Sequence, residues 1–114
     1  MIIKNISKKT IIADKASIRK SLLGRTMGLM FSPSPKKSII LQFRRESIQP
    51  LHMWFVFYPI DAIFLGKEKK VTETKENFMP FSFYTPKKKA MYIIETSKGY
   101  IKKSITKVGD KIEF

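Results

Sequence analysis

A chain of 114 residues, 43% of them hydrophobic and including nine Phe, four Tyr and one Trp, can fill one core, and a single domain spanning residues 1–114 is expected. It contains no cysteine and one histidine, which excludes disulfides, thiolate nucleophiles and the usual zinc and iron–sulfur sites, so neither a metal nor a cofactor is expected. The net charge of +14 attracts polyanions, nucleic acid first among them, but the excess is 19 Lys against 4 Arg. Lysine lacks the planar fork that grips phosphates bidentately, and Lys enrichment also accompanies adaptation to heat.

Taken in chain order, Ile2, Ile3 and Ile6 and then Ile11 and Ile12 flank Ser7-Lys8-Lys9-Thr10, a pattern that predicts an opening hairpin. The start at Met1-Ile2-Ile3-Lys4-Asn5 reads as strand rather than secretory leader, and a cytoplasmic protein is expected. Ile18, Leu22, Leu23, Met27 and Met30 recur at helical steps behind Asp14, predicting one main helix over about 14–30 that ends before Pro33 and Pro35. Ile39, Leu41 and Phe43 alternate within Ser38 to Arg44, as a half-buried strand does.

Leu51 to Leu65 is almost continuously apolar. It is too short for a transmembrane helix, which needs about 20 residues, and Tyr58-Pro59 divides it into two pieces, both expected to be buried strands. Val71 to Glu76 reads as an edge strand. The proline-bounded aromatic stretch from Phe78 to Pro86 reads as an irregular covering loop that Lys87-Lys88-Lys89 closes in solvent. Ala90 to Thr96 is predicted as strand, Ser97 to Lys103 as a helical turn near 97–103, and Gly109-Asp110 as the turn into a last strand, Lys111 to Phe114. Together these elements predict an α+β fold: a mostly antiparallel, barrel-like sheet with one main helix.

Arg25 before Gly28-Leu29-Met30, His52-Met53 leading through Tyr58-Pro59-Ile60-Asp61 to Ile63-Phe64-Leu65, Glu95 with Gly99, and finally Gly109-Asp110 follow one another in an order that resembles the uncharacterised protein family 0127, also called domain of unknown function 192. The resemblance runs from about Ser17 to Phe114. It implies a compact, β-rich single domain found in archaea and bacteria, with no activity attached. Many bacterial relatives carry Trp-Met-Lys-Asn where this chain has His52-Met53-Trp54-Phe55, and a polar residue at the position of Gly66. The His-Met version is similar to the archaeal, intracellular branch.

His52 and Asp61 are the pair able to act as an imidazole and its orienting carboxylate, but no Gly-x-Ser-x-Gly elbow supplies a nucleophile, and no catalytic residue is assigned. The structural expectation is that His52 ends a strand and that Asp61 accepts backbone amides around the Pro59 bend. Arg25 would pair with Asp61 or face an anionic ligand beside Met53 and Trp54. Met27, Met30 and Met53 with His52 have the chemistry of a copper(I) site, although methionine is ordinarily gap filler. No phosphate-binding glycine loop occurs, and Glu68, Glu73 and Glu76 sit among lysines as solvated pairs.

The basic clusters are Lys8-Lys9, Lys36-Lys37, Arg44-Arg45, Lys67 with Lys69-Lys70, Lys87-Lys88-Lys89 and Lys102-Lys103, all in predicted turns. To act on a polyanion, those at Lys36, Lys37, Arg44, Arg45, Lys87, Lys88 and Lys89 must converge, with Phe81, Phe83 and Tyr84 available to stack on bases. Otherwise they are solubilising loop charge. The leading expectation is a non-enzymatic binding domain with nucleic acid or another polyanion as partner, and with no membrane partner. The alternative is a small-molecule-binding domain or minor enzyme with a pocket near Arg25, His52, Trp54 and Asp61.

Overall fold

The computed structural model describes residues 1–20 and 38–114. Among them are ten strands and one short helix: β1 (Ile3–Asn5), β2 (Thr10–Ala13), β3 (Ala16–Arg19), β4 (Ser38–Ser47), β5 (Leu51–His52), β6 (Ile60–Leu65), β7 (Val71–Phe78), β8 (Phe83–Tyr84), β9 (Ala90–Ser97), α1 (Tyr100–Lys103) and β10 (Ile112–Glu113). They form a three-stranded sheet in the order β10-β1-β2, a five-stranded sheet in the order β3-β4-β9-β6-β7, and a two-stranded ribbon, β5-β8.

The five-stranded sheet lies between two apolar clusters. On one face Ile39, Leu41, Ile60, Ala62, Phe64 and Ile93 pack under Leu51, Met53 and Val56 of the β5 segment. On the other, Ile40, Ile63, Leu65 and Ile94 meet Ile3, Ile12 and Ile112 of the three-stranded sheet and Ile101 of α1. The alternation along β6 serves both clusters, which is why all six of its residues are buried. The opening hairpin forms as expected, with Asn5 opposite Thr10 and Lys4 opposite Ile11.

The α+β description holds in its coarse form, β-rich with one short helix among the described residues, but the sheet is not a closed barrel. Among the described residues β3 and β7 are its two edge strands. β7 protects its edge with Glu73, Lys75 and Glu76, charged residues of the kind that discourage further pairing. The sheet is mostly antiparallel, as expected; β3 runs parallel to β4, with Ile18 opposite Ile40.

This ladder also corrects the expected helix over about 14–30. Ala16 to Arg19 is strand, and Ile18, read as the first residue of a helical stripe, packs instead against the second apolar cluster. Pairing with a strand twenty residues away overrides a local periodicity there. The remainder of that helix, with Leu22, Leu23, Arg25, Met27 and Met30, and the basic pair Lys36-Lys37 fall in 21–37 and lie outside the described residues.

Candidate functional site

Two loops, 53–58 and 79–82, leave the β5-β8 ribbon together. The Met53 N–H donates to the Ser82 carbonyl at 2.7 Å, and the Met53 carbonyl accepts from Phe81 N–H at 2.8 Å and Val56 N–H at 3.3 Å. The buried side chains of Met53 and Val56 root the first loop in the core. Phe55 and Phe81 take left-handed backbone angles, φ 59° and 58°, which cost a bulky residue on the order of 1 kcal/mol or more each.

What these loops present is a cluster of rings. Trp54, Phe55 and Phe57 stand edge-on around Phe81, with centroids 6.3, 6.2 and 5.4 Å away. Trp54 is 48% exposed and Phe83 is 73% exposed, and Phe55, Phe57, Met79 and Phe81 are also exposed. The first half of the Leu51–Leu65 run is therefore not the buried strand expected of it beyond Leu51 and His52. Sequence reasoning counted Phe81, Phe83 and Tyr84 as rings available for stacking and gave Trp54 to the small-molecule pocket, but missed Phe55 and Phe57. No signal in the run sets them apart, since every residue from Met53 to Tyr58 is hydrophobic.

Basic residues gather at one end of the five-stranded sheet. Ser47 pairs with Ala90 and Gln42 with Tyr92, and the irregularity between them holds the exposed Arg44 and Arg45 next to the chain that brings in Lys87, Lys88 and Lys89. Lys67 joins them, its N–H donating 2.9 Å to Glu46 Oε2. Glu73 fixes the approach: its Oε1 accepts from the Lys87 and Lys88 N–H groups at 2.9 and 3.1 Å, and its Oε2 accepts from the Tyr84 hydroxyl. That hydrogen bond, with burial and the nearby charge, pushes Tyr84 up to about 12. Tyr84 is thus engaged by Glu73 and packed against Phe64 and Phe78, so it is a strut beside the ring cluster rather than a member of it.

Other basic residues lie elsewhere or are occupied. Lys8 forms the one salt bridge among the described residues, with Asp110 at 2.7 Å. Lys69 lies 3.9 Å from the centre of the Phe114 ring. Lys102 and Lys103 end α1. Lys36 and Lys37 fall outside the described residues.

Among the described residues of the expected small-molecule pocket, Asp61 is separated from His52, Met53 and Trp54. Asp61 points to the face of Ile63 and Leu65, opposite the face that Met53 covers. Its Oδ1 accepts from Asn77 N–H at 3.0 Å, and its Oδ2 accepts from Gly99 and Ile101 N–H at 3.1 and 3.0 Å. These amides belong to β7 and the start of α1, not to the Pro59 bend. His52, half-buried, accepts a 3.3 Å hydrogen bond at Nδ1 from Trp54 N–H. Arg25 is outside the described residues. Among the described residues no group of three His, Cys, Asp or Glu side chains is arranged to hold a metal.

One titratable group went unnoticed as a candidate. Glu95 lies opposite Ile39 on one side and Ala62 on the other, on the face of the first apolar cluster, and is 5% exposed. Burial pushes its carboxyl up to about 7. A charged residue inside the otherwise apolar run Tyr92–Thr96 was the signal.

The sequence model of DUF192, described as Uncharacterized ACR, matches residues 3–114. A UPF0127 protein of Pyrococcus abyssi is 34% identical over 99% of this chain and 97% of its own length. One from Thermococcus sibiricus is 31% identical over 96% of this chain and 72% of its own. Among solved structures, a protein of unknown function from Novosphingobium aromaticivorans superposes with a TM-score of 0.85 at 19% identity, covering 99% of this chain and 82% of that one. A Sinorhizobium meliloti protein named as a candidate transcription regulator gives 0.85 at 20% identity, covering 98% of this chain and 89% of its own. At such identities these two structures speak to the fold alone. No helix among the described residues is long and apolar enough to cross a membrane.

Proposed function

Because the chain belongs to the DUF192 family, whose description names no activity, we propose a function from its own surface: a non-enzymatic binding domain that holds a polyanion at the basic end of the five-stranded sheet. What supports this is the Ser47–Ala90 pairing, which brings the backbone segment of Arg44 and Arg45 beside the one that leads in from Lys87, Lys88 and Lys89. Charge spread evenly over turns would serve solubility; charge gathered by a strand ladder from separate parts of the sequence makes a local positive field. A cytoplasmic location is part of this proposal.

The test is fluorescence anisotropy with labelled heparin and a labelled oligonucleotide between 50 and 300 mM KCl. Affinity falls steeply with salt, and replacing Arg44, Arg45 and Lys87–Lys89 by Ala together flattens that dependence, because each lost phosphate contact removes about 0.7 from the log–log slope for a single strand. A variant at Lys8, Lys9, Lys102 and Lys103 is the control. If that control loses binding and the first variant keeps it, the proposal is wrong.

A second reading, of a small-molecule site, moves from Asp61 to Glu95, since a carboxyl titrating near neutrality in an apolar wall is the group most suited to ligand or proton chemistry. Saturable thermal stabilisation by a small molecule that Glu95→Gln abolishes would favour it.

A further inference from the structure

We infer that the exposed rings of Trp54, Phe55, Phe57, Phe81 and Phe83 form a stacking platform for unpaired bases, so that the polyanion is single-stranded nucleic acid; this rests on the polyanion reading above and specifies its partner.

Five large rings, 45–73% exposed on two adjoining loops and strand β8, are a cost to a monomer. The loops are not loosely tethered. Three backbone hydrogen bonds through Met53 and the buried Met53 and Val56 side chains fix them, so the rings are presented with little entropy left to lose on binding. Phe55 and Phe81 hold left-handed backbone angles in doing so, strain of the kind that persists where a surface is used.

Two features favour bases over a lipid surface. The exposed side chains of these loops are rings and one methionine, Met79, without leucine, isoleucine or valine. Aliphatic side chains enter a bilayer as readily as phenylalanine, whereas only rings stack on bases. Phe83, the most exposed ring at 73%, sits on the ribbon strand that continues through Tyr84 to Lys87. Four residues span at most about 14 Å, so a short strand can lie on the rings and reach the basic end with its phosphates. Duplex DNA hides its base faces inside the stack and can use only the basic end. Four of the five rings are phenyl and carry no hydrogen-bonding group, so the expected binding is tolerant of sequence.

Trp54, the one tryptophan in the chain, reports directly from this platform. The intact protein is titrated with dT12, a 12-base-pair duplex, heparin, and vesicles of phosphatidylcholine with phosphatidylglycerol. Quenching of Trp54 by dT12, with affinity at least about tenfold above that for the duplex, is the expected result. Phe83→Ala, at a side chain too exposed to matter for folding, costs dT12 binding about tenfold and leaves heparin binding unchanged. Equal affinity for dT12 and duplex, or a Phe83→Ala variant that binds dT12 normally, overturns the inference. So does a blue shift of Trp54 on vesicles without quenching by dT12, which would assign the rings to a membrane. Heparin binding separates the failures: if it persists, only the stacking is refuted; if it is absent, the polyanion reading falls too.

Discussion

Asp61 closes the N-terminus of α1 at Gly99. The helix begins on a glycine with φ 95° that has no side chain to cap it, and the Asp61 carboxylate, from β6, accepts the Gly99 and Ile101 N–H groups instead. Its other oxygen takes Asn77 N–H, at the root of the loop that carries Phe81.

Replacing Asp61 by Ala strands three backbone donors beside the core, and unfolding in urea should register a loss of about 3 kcal/mol. Asp61→Asn keeps one acceptor oxygen and costs less. An Asp61→Ala variant as stable as the parent would mean that water serves these amides equally well.

Glu95 makes stability depend on pH in a direction opposite to that of most carboxylates. Its folded value of about 7 lies above its ordinary 4.5, so the folded state holds the proton more tightly than the unfolded chain. This contribution is complete below about pH 4.5 and is lost as pH rises through 7, a change on the order of 3 kcal/mol. Denaturation at pH 5 and pH 8 should show that loss in the parent and a flatter profile in Glu95→Gln. Parallel profiles would show that the carboxyl is paired.

Asp110 works in the usual sense. Burial opposes its charge, but hydrogen bonds from Asn5 and Lys8 and from the Lys107 backbone outweigh burial and hold its carboxyl below the ordinary 3.8. Its stabilisation is therefore present above that value and lost as pH falls through the lower folded one. Acid unfolding of Asp110→Asn should be less steep than that of the parent; identical acid limbs would contradict this.

Glu73 offers a test in which charge and position predict opposite signs. Removing an acid from a basic surface strengthens polyanion binding if only charge matters. Since Glu73 holds the Lys87 and Lys88 amides and Tyr84, Glu73→Ala should weaken binding severalfold, as read by anisotropy with heparin. Stronger binding would show that the lysines need no fixed backbone.

The sequence made legible those elements whose pairing is local or whose pattern has one explanation: the Ile3–Ile12 hairpin, the buried Ile60–Leu65 strand, the Val71 edge and the turn at Gly109. It misled where a distant partner decides. Ile18 fits a helical stripe until Ile40 is known to lie beside it. Trp54, Phe55 and Phe57 were taken for core because apolar side chains usually are, yet hydrophobic residues are common on surfaces, and sequence carries no mark of which side of a loop faces water. The two basic groups were visible, but their convergence is a property of the β4–β9 ladder.

We propose that one continuous surface, from the rings around Phe81 to Lys89 and Arg44, binds nucleic acid. An amide-resonance titration of the labelled protein with dT12 tests it residue by residue. Saturable shifts are expected at 54–57, 81–83, 87–89 and 44–45 that vanish at high salt, with Lys8, Lys9, Lys102 and Lys103 unmoved. Shifts confined to the hairpin and α1, or none at low salt, would contradict it.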